Sequence, residues 1–409
     1  MPDQVLIPHL FRTEYRKITS VLCKVFGTEH IEAAEDIASE TFLAAMEIWP
    51  YKGVPENPVA WLYAVAKNKA KNHLSRHHLF SHKIAVRLKE SPSIKDEPEI
   101  DLSKKNITDS QLQMLFALCH PSVSAEAQIG LSLRILCGFG IEEIANAFLT
   151  TKETINKRLF RAREKLRTEK VPVEFPAERE IGKRLEVVMT TLYLMFSEGY
   201  YSESQDTILR EDLCIEAMRL THLLIENEKT NQPEVNALLA LMCLHASRFE
   251  ARKNPKGEMI LYEDQDETKW NQELINKGIF HMHQASRGNQ LSKYHLEAGI
   301  AYWHTQKEDT KEKWESILHF YNLLLQVAYS PVAALNRTYA LSKVKGKEAA
   351  IQEAEKINLS GNHYYFTLLG ELYSGVDNDI ARLHFEKALS LAKTKTDKQT
   401  IRARIQKAG

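Results

Sequence analysis

The chain has 409 residues and carries 54 Lys and Arg against 54 Asp and Glu, a formal net charge of zero. That balance excludes a chain that is basic throughout, although a local basic face could still bind nucleic acid. The length calls for two or more domains with their own cores. Five scattered cysteines (Cys23, Cys119, Cys137, Cys214, Cys243) form no C-x-x-C pair, so reduced, buried thiols in a cytoplasmic protein are expected. The N-terminus lacks the charged-then-apolar order of a signal peptide, and no apolar run approaches the ~18 residues of a spanning helix. No membrane partner is expected.

Nearly every long segment has the 3.6-residue period and few alternate like strands, which predicts an all-α fold. A first helical unit covers residues 5–83. In "EHIEAAEDIASETFLAAMEIW", Ile31, Ala34, Ile37, Ala38, Phe42, Ala45 and Ile48 make one stripe, with acids opposite. "PYKGVPENP" breaks the chain, and "VAWLYAVAKNKAKNHLSRHH" resumes a helix. From Trp61 to Lys83 there are five Lys or Arg, four His and no acid. Trp61 and Tyr63 beside Lys67, Lys69, Lys71 and Arg76 offer rings for base stacking and charge along a backbone, the needs of single-stranded DNA binding. A core Trp with a solvated basic face fits the same residues.

Residues 84–106 are expected to be a flexible linker, since "KESPSIKDEPEIDLSKKN" is polar, contains two prolines and has no apolar period. A second unit, 107–170, contains "GFGIEEIANAFLTTKETINKRLFRAREKLR". Ile141, Ile144, Ala145 and Phe148 share one face; Ile155, Leu159, Ala162 and Leu166 share the next, with Lys157, Arg158, Arg161 and Lys165 on the other side. Two short amphipathic helices with a tight turn suit a helix-turn-helix whose second helix enters the major groove. Thr151 stands at its N-cap position. Lys152, Glu153, Thr154 and Asn156 then lie where base edges are touched, Arg158 and Arg161 reach bases or phosphates, and Lys157 and Lys165 hold phosphates. A basic amphipathic helix packed on its neighbour is the plainer reading. Leu149 occupies a turn position where glycine is common.

"KVPVEFP" stops the basic helix, and residues 178–409 form a helical C-terminal extension. "YYFTLLGELYSGVDNDIARLHFEKALSLA" places Leu369, Gly370 and Tyr373 before Ala381, Phe385 and Ala388, the order of small and aromatic residues of a tetratricopeptide repeat. A looser copy runs through Tyr339, Ala350 and Ala354. The part from 186 to 300 shows helices without a repeat.

The N-terminal motifs resemble a known family in sequence and in order. "AEDIASETFLAAMEIWP" followed by "NPVAWLYAVAKNKAKNHLSRHH" looks like region 2 of the extracytoplasmic-function group of sigma-70 family sigma factors, and the helix-turn-helix looks like their region 4. The resemblance implies two small helical sigma domains, and residues 5–170 in the role of promoter recognition. Asp36, Glu40, Thr41 and Phe42 would contact the β′ clamp of core RNA polymerase, with the β flap as a further partner. Trp61, Lys67, Asn68, Lys71, Asn72 and Arg76 would contact the −10 element of promoter DNA. Lys152, Glu153, Thr154, Asn156, Lys157, Arg158, Arg161 and Lys165 would contact the −35 element. "LYLMFSEGYYSES", "LYEDQDETKWNQELI" and "SPVAALNRTYAL" resemble the subgroup with a long tetratricopeptide-like extension, where "AFL" occupies the helix-helix turn.

In that extension Asp264, Asp266 and Trp270 are expected to form a regulatory contact with the sigma regions or polymerase. The other role for these residues is structural, with Trp270 in the core and the acids solvated. Glu198, Asp264, Asp266, His281 and His283 could mark an enzyme or metal centre, but the two histidines stand two apart on a helix and point different ways. The acidic run also lacks the glycine and terminal Glu of a calcium loop. No Ser-His-Asp arrangement or phosphate-cradling glycine loop is present. The expectation is a non-enzymatic sigma factor needing no cofactor or metal; a helix-turn-helix regulator with a ligand- or partner-sensing domain is the alternative.

Overall fold

The computed structural model describes residues 3–87, 100–148, 150–200, 211–252, 260, 262–357, 359–392 and 395–408. The described residues are helical or irregular and contain no strand, as the periodicity predicts. No described helix is long and apolar enough to cross a membrane. The chain divides into two compact units, 1–194 and 195–409.

The first unit contains α1 (Asp3–Phe26), α2 (Ile31–Lys52), α3 (Pro58–Arg87), α4 (Lys104–Leu118), α5 (Ala125–Ile135), α6 (Ile141–Ala147), α7 (Lys152–Thr168) and most of α8 (Ile181–Tyr200). α1 is its shared core element and packs against α2, α3, α4 and α5. Tyr15, Ile18, Val21, Leu22 and Cys23 are buried along it. The two short helical units therefore share one core instead of hanging from a linker. α3 runs on to Arg87, and α4 begins at Lys104 with Ser103 as its cap, accepting from the Asn106 amide. Both ends of the expected linker are thus helical, and its central residues 88–99 lie outside the described residues. α8 is tied to this unit by Thr191 Oγ1, which donates to Gln128 Oε1 at 2.8 Å. The boundary with the second unit falls at 194/195 inside α8, later than the expected 178, because Pro172 and Pro176 end a helix without ending the core. All five cysteines are free and buried.

The second unit holds the last turns of α8, then α9 (Glu211–Ile225), α10 (Pro233–Ala246), α11 (Gln272–Ala285), α12 (Lys293–Trp303), α13 (Lys311–Val327), α14 (Pro331–Lys345), α15 (Lys347–Glu355), α16 (His363–Tyr373), α17 (Asn378–Leu391) and α18 (Lys395–Ala408). From α9 onward each helix packs on the next, and α10 also meets α12 and α14 meets α16. Helix starts follow local chemistry: Asn271, Thr310, Ser330, Asn362 and Asp377 each accept a first-turn amide, and Pro233 and Pro331 open their helices. Between α16 and α17 the approach is close because position 370 has no side chain. A Cβ on Gly370 would lie 2.6 Å from the Phe385 ring, itself buried with Ala381 and Ala388.

Gly370→Ala should therefore destabilise the second unit by about 1–3 kcal/mol through overpacking, although alanine is the better helix former. Gly361→Ala, with nothing within 4 Å of its Cβ, should be neutral or stabilising by up to about 1 kcal/mol. Urea denaturation of the two variants measures the contrast.

Candidate nucleic-acid and polymerase surfaces

α6 and α7 meet across a tight turn in which the Thr150 amide donates to the Ala145 carbonyl at 2.9 Å; Leu149 lies outside the described residues. Thr151 caps α7, its Oγ1 accepting from the Thr154 amide at 3.2 Å. Ile155, Leu159, Ala162 and Leu166 are buried, as the period predicts. α5 supports them closely: a Cβ on Gly130 would lie 3.1 Å from Leu159 Cδ2.

The rest of α7 splits into two basic faces. Lys152, Glu153, Thr154, Asn156, Lys157 and Arg161 are exposed, with Phe160 between the last two. Asn156, Lys157 and Arg161 have no side-chain partner among the described residues. Lys152 pairs with Glu142 at 2.8 Å and Lys165 with Glu169 at 2.9 Å, both exposed pairs that water and salt weaken. Arg158 is half-buried with its guanidinium 5.7 Å from the Phe148 ring centre. Helical spacing puts Glu153, Lys157, Arg161 and Lys165 along one open side of α7, and Lys152 and Asn156 nearer the side of Arg163.

The inner face is engaged. Arg163 Nη2 donates to Glu35 Oε2 at 2.6 Å, and Arg134 Nε from α5 donates to Glu35 Oε1 at 2.7 Å. Glu35 is buried, so both of its oxygens are compensated by guanidinium groups. Arg167 adds a contact to Glu32 at 3.2 Å. Thr28 Oγ1 donates to the Val171 carbonyl at 2.7 Å close by. α7 is thus held to α2 by charge on one side and left open on the other.

α2 shows a corresponding division. Of its four expected polymerase contacts, Asp36 and Glu40 are exposed, and Glu40 pairs with Lys69 at 2.8 Å. Thr41 and Phe42 are corrected by the structure. Both are buried, Thr41 Oγ1 donating to the Ile37 carbonyl and Phe42 packing edge-on to Phe11 at 5.1 Å. They belong to the apolar stripe and hold the helix in place. The outer face instead presents Leu43, 54% exposed, and Met46, 57% exposed, alongside Asp36 and Glu40. Two apolar residues interrupting the polar side of an amphipathic helix were the available sequence signal.

On α3, Asn68, Lys71, Asn72 and Arg76 are exposed and Lys67 is half-buried. Trp61 is half-buried against Trp49, edge to face at 5.4 Å. Tyr63 is held by its hydroxyl, which donates to Glu14 Oε2 at 2.6 Å; burial and that carboxylate push its pKa up.

Of the expected regulatory contact in the extension, Trp270 is corrected by its burial, whereas Asp264 and Asp266 are exposed. Trp270 is buried and stacks near Tyr262 with ring centres 6.3 Å apart. Asp266 caps a 3-10 turn, accepting from the Thr268 amide at 3.0 Å and from its hydroxyl at 2.7 Å. Asp264 alone of the three is exposed without a capping role. His281 is buried and bonded to Asn236 at 2.9 Å, whereas His283 is exposed. Among the described residues no cluster of His, Cys, Asp and Glu could hold a metal ion.

A basic helix open to solvent beside an amphipathic helix with an apolar and acidic outer face defines a helical protein suited to DNA and a protein partner. Residues 10–79 match the family model of Sigma-70 region 2, and residues 184–286 match a family of unknown function, DUF6596. Over 384 residues the chain is 33% identical to an uncharacterized protein of Rhizobium meliloti (strain 1021), covering 92% of this chain and 90% of that protein. No solved structure matches. The chain belongs to one family with the Rhizobium protein, and the match of residues 10–79 supports a sigma-70 type sigma factor, a protein that serves RNA polymerase in promoter recognition.

Replacing Glu35 with Gln should cost about 3 kcal/mol or more, because two guanidinium groups lose their charge partner at a buried position. Glu40→Gln, in the exposed pair, should change stability by no more than about 1 kcal/mol. Chemical denaturation followed by circular dichroism distinguishes the two.

Proposed function

We propose that this chain is a sigma factor of the extracytoplasmic-function group whose C-terminal helical unit controls its use of promoters. The outer face of α2, with Asp36, Glu40, Leu43 and Met46, would dock on the β′ clamp of core polymerase. α3 would handle the −10 element through Trp61, Lys67, Asn68, Lys71, Asn72 and Arg76. The first turns of α7 would read the −35 element as duplex, and the small-to-aromatic packing of Gly370 against Phe385 supports a tetratricopeptide-like character for the extension.

The observation that carries this reading is the split of α7. Arg163 and Arg167 are committed to Glu35 and Glu32, while Lys157 and Arg161, one turn apart, are exposed on another side of the helix. A merely solvated basic helix has no need of that division. A helix entering a groove needs it, because the duplex neutralises one face while protein charges hold the other.

In vitro transcription with core polymerase tests the whole reading, since a conventional DNA-binding regulator gives no transcript under those conditions. Arg161→Ala should weaken binding to the promoter −35 duplex and flatten its salt dependence by about one unit. Arg163→Ala should instead lower stability. Gel shifts over a salt series, with a melting curve for each variant, check both.

The double variant Leu43→Glu, Met46→Glu should lose core polymerase in a pull-down and melt within about 0.5 kcal/mol of the natural chain, because exposed positions carry little stability. A folded double variant that still captures core polymerase would remove α2 as the docking face.

A further inference from the structure

Among the described residues, the second unit contains buried positive charge that has no ion-pair partner. Arg248 follows the end of α10 and Arg252 ends the 3-10 turn Glu250–Arg252. They are only 8% and 9% exposed. Arg248 Nη2 donates weakly to Tyr200 Oη at 3.5 Å, and its guanidinium lies 5.4 Å from the Tyr262 ring centre. Arg252 stacks over the Tyr200 ring at 4.0 Å. Among the described residues neither arginine has an ion pair. A buried guanidinium without a carboxylate is unusual, because desolvation must be offset by a counter-charge.

Among the described residues near the Tyr262 ring, no acid pairs with either arginine. Lys307 and Lys313 add positive charge near the same Tyr262 ring, at 5.4 and 5.1 Å. Lys307 is satisfied by the backbone carbonyls of Tyr262, Glu263 and Gln265, and Lys313 by Tyr262 Oη and the Gln306 carbonyl. Asp309 pairs with Lys343 at 3.3 Å and accepts from the Trp314 indole. The Glu263 carboxylate accepts from Tyr339 Oη at 3.2 Å.

Hydrogen-bonding capacity is left over at the same place. Arg248 Nε, Trp270 Nε1 and His304 Nδ1 are buried without a partner, and Trp270 and His304 both pack against the Tyr262 ring. Burial, with Arg248 and Lys313 nearby, pushes His304 down to about 3, so it is neutral and can donate without adding charge. Arginines that no described acid pairs with, together with unused donors, are the complement of a molecule rich in acceptor oxygens. Tyr262 and Lys307 are half-exposed and provide the approach.

We propose that the C-terminal unit binds a small oxyanion, its phosphate or carboxylate oxygens taken by Arg248 and Arg252 beside the rings of Tyr200 and Tyr262. Planar guanidinium forks suit both kinds of oxygen pair. The arginines are too covered to meet a macromolecular surface, so the ligand is a small molecule that enters. This site does not depend on the promoter reading.

Calorimetric titration of the full chain with inorganic phosphate, pyrophosphate and succinate, at ionic strength held constant with chloride, tests it. At least one oxyanion should bind saturably, and which one does separates a phosphate site from a carboxylate site. Arg252→Met and Arg248→Met should each weaken that binding by about tenfold or more. Without ligand both should melt at or above the natural chain, since an unpaired buried charge has been removed. Absence of saturable binding by all three anions overturns the proposal, as does undiminished binding in either variant. Should a variant fail to fold, the natural chain decides: the bound anion should protect Arg248 and Arg252 from phenylglyoxal, and equal modification with and without it overturns the site.

Discussion

Glu35 is the constraint on which the arrangement of the first unit depends. A carboxylate so far from water is tolerated only when both oxygens are matched, and here Arg134 from α5 and Arg163 from α7 each take one. Those arginines stand 99 and 128 residues away along the chain. The match therefore exists only when α2, α5 and α7 are all in place. α1 supplies the apolar counterpart by packing on α2, α3, α4 and α5 together. Hydrophobic burial provides most of the stabilisation, and the ion pairs fix which faces of α2 and α7 are turned inward.

That selection of faces has a consequence for recognition. With zero net charge, the whole chain gains no general attraction to DNA. Any field that draws a duplex must come from local surfaces whose cations are not already neutralised. On α7, pairing Arg163 and Arg167 with acids of α2 leaves Lys157, Arg158 and Arg161 without an acid partner among the described residues. The same contacts turn Asp36, Leu43 and Met46 of α2 outward. One internal charge match thus sorts the residues available to DNA from those available to a protein partner.

The apolar periods were legible in the sequence, because burial repeats along a helix every three or four residues. Ile155, Leu159, Ala162 and Leu166 are buried as their spacing indicates, Thr151 caps where its hydroxyl can serve, and Gly370 marks the close approach to Phe385. Glu35 was not legible. It sits next to Ala34 on the stripe, and a glutamate there reads as solvated until arginines from distant helices are in view. Thr41 and Phe42 were misplaced because matching a motif assigns a role to a stretch of helix, whereas burial alternates within that stretch. Trp270 failed similarly: an aromatic among acids reads as a sticky surface, yet the ring packs by Tyr262 and Asp266 caps a turn. Residues 88–99 stay at the level of composition.

The two units treat buried charge in opposite ways, and the contrast is physical. Around Glu35, one negative group meets two positive ones, and removing any member leaves the others exposed to the full desolvation penalty. Such a cluster favours a single arrangement and responds little to the surrounding solution. Around Tyr262, Arg248 and Arg252 are buried against rings, which offset only part of the cost of leaving water. The deficit remains in the folded state, where anything that supplies the missing negative charge adds stability in proportion to its concentration. A cluster whose carboxylate is matched at both oxygens is suited to holding a surface in register, and one without a carboxylate to reporting what is dissolved around it. The first unit has the former beneath α7, and the second has the latter in its interior.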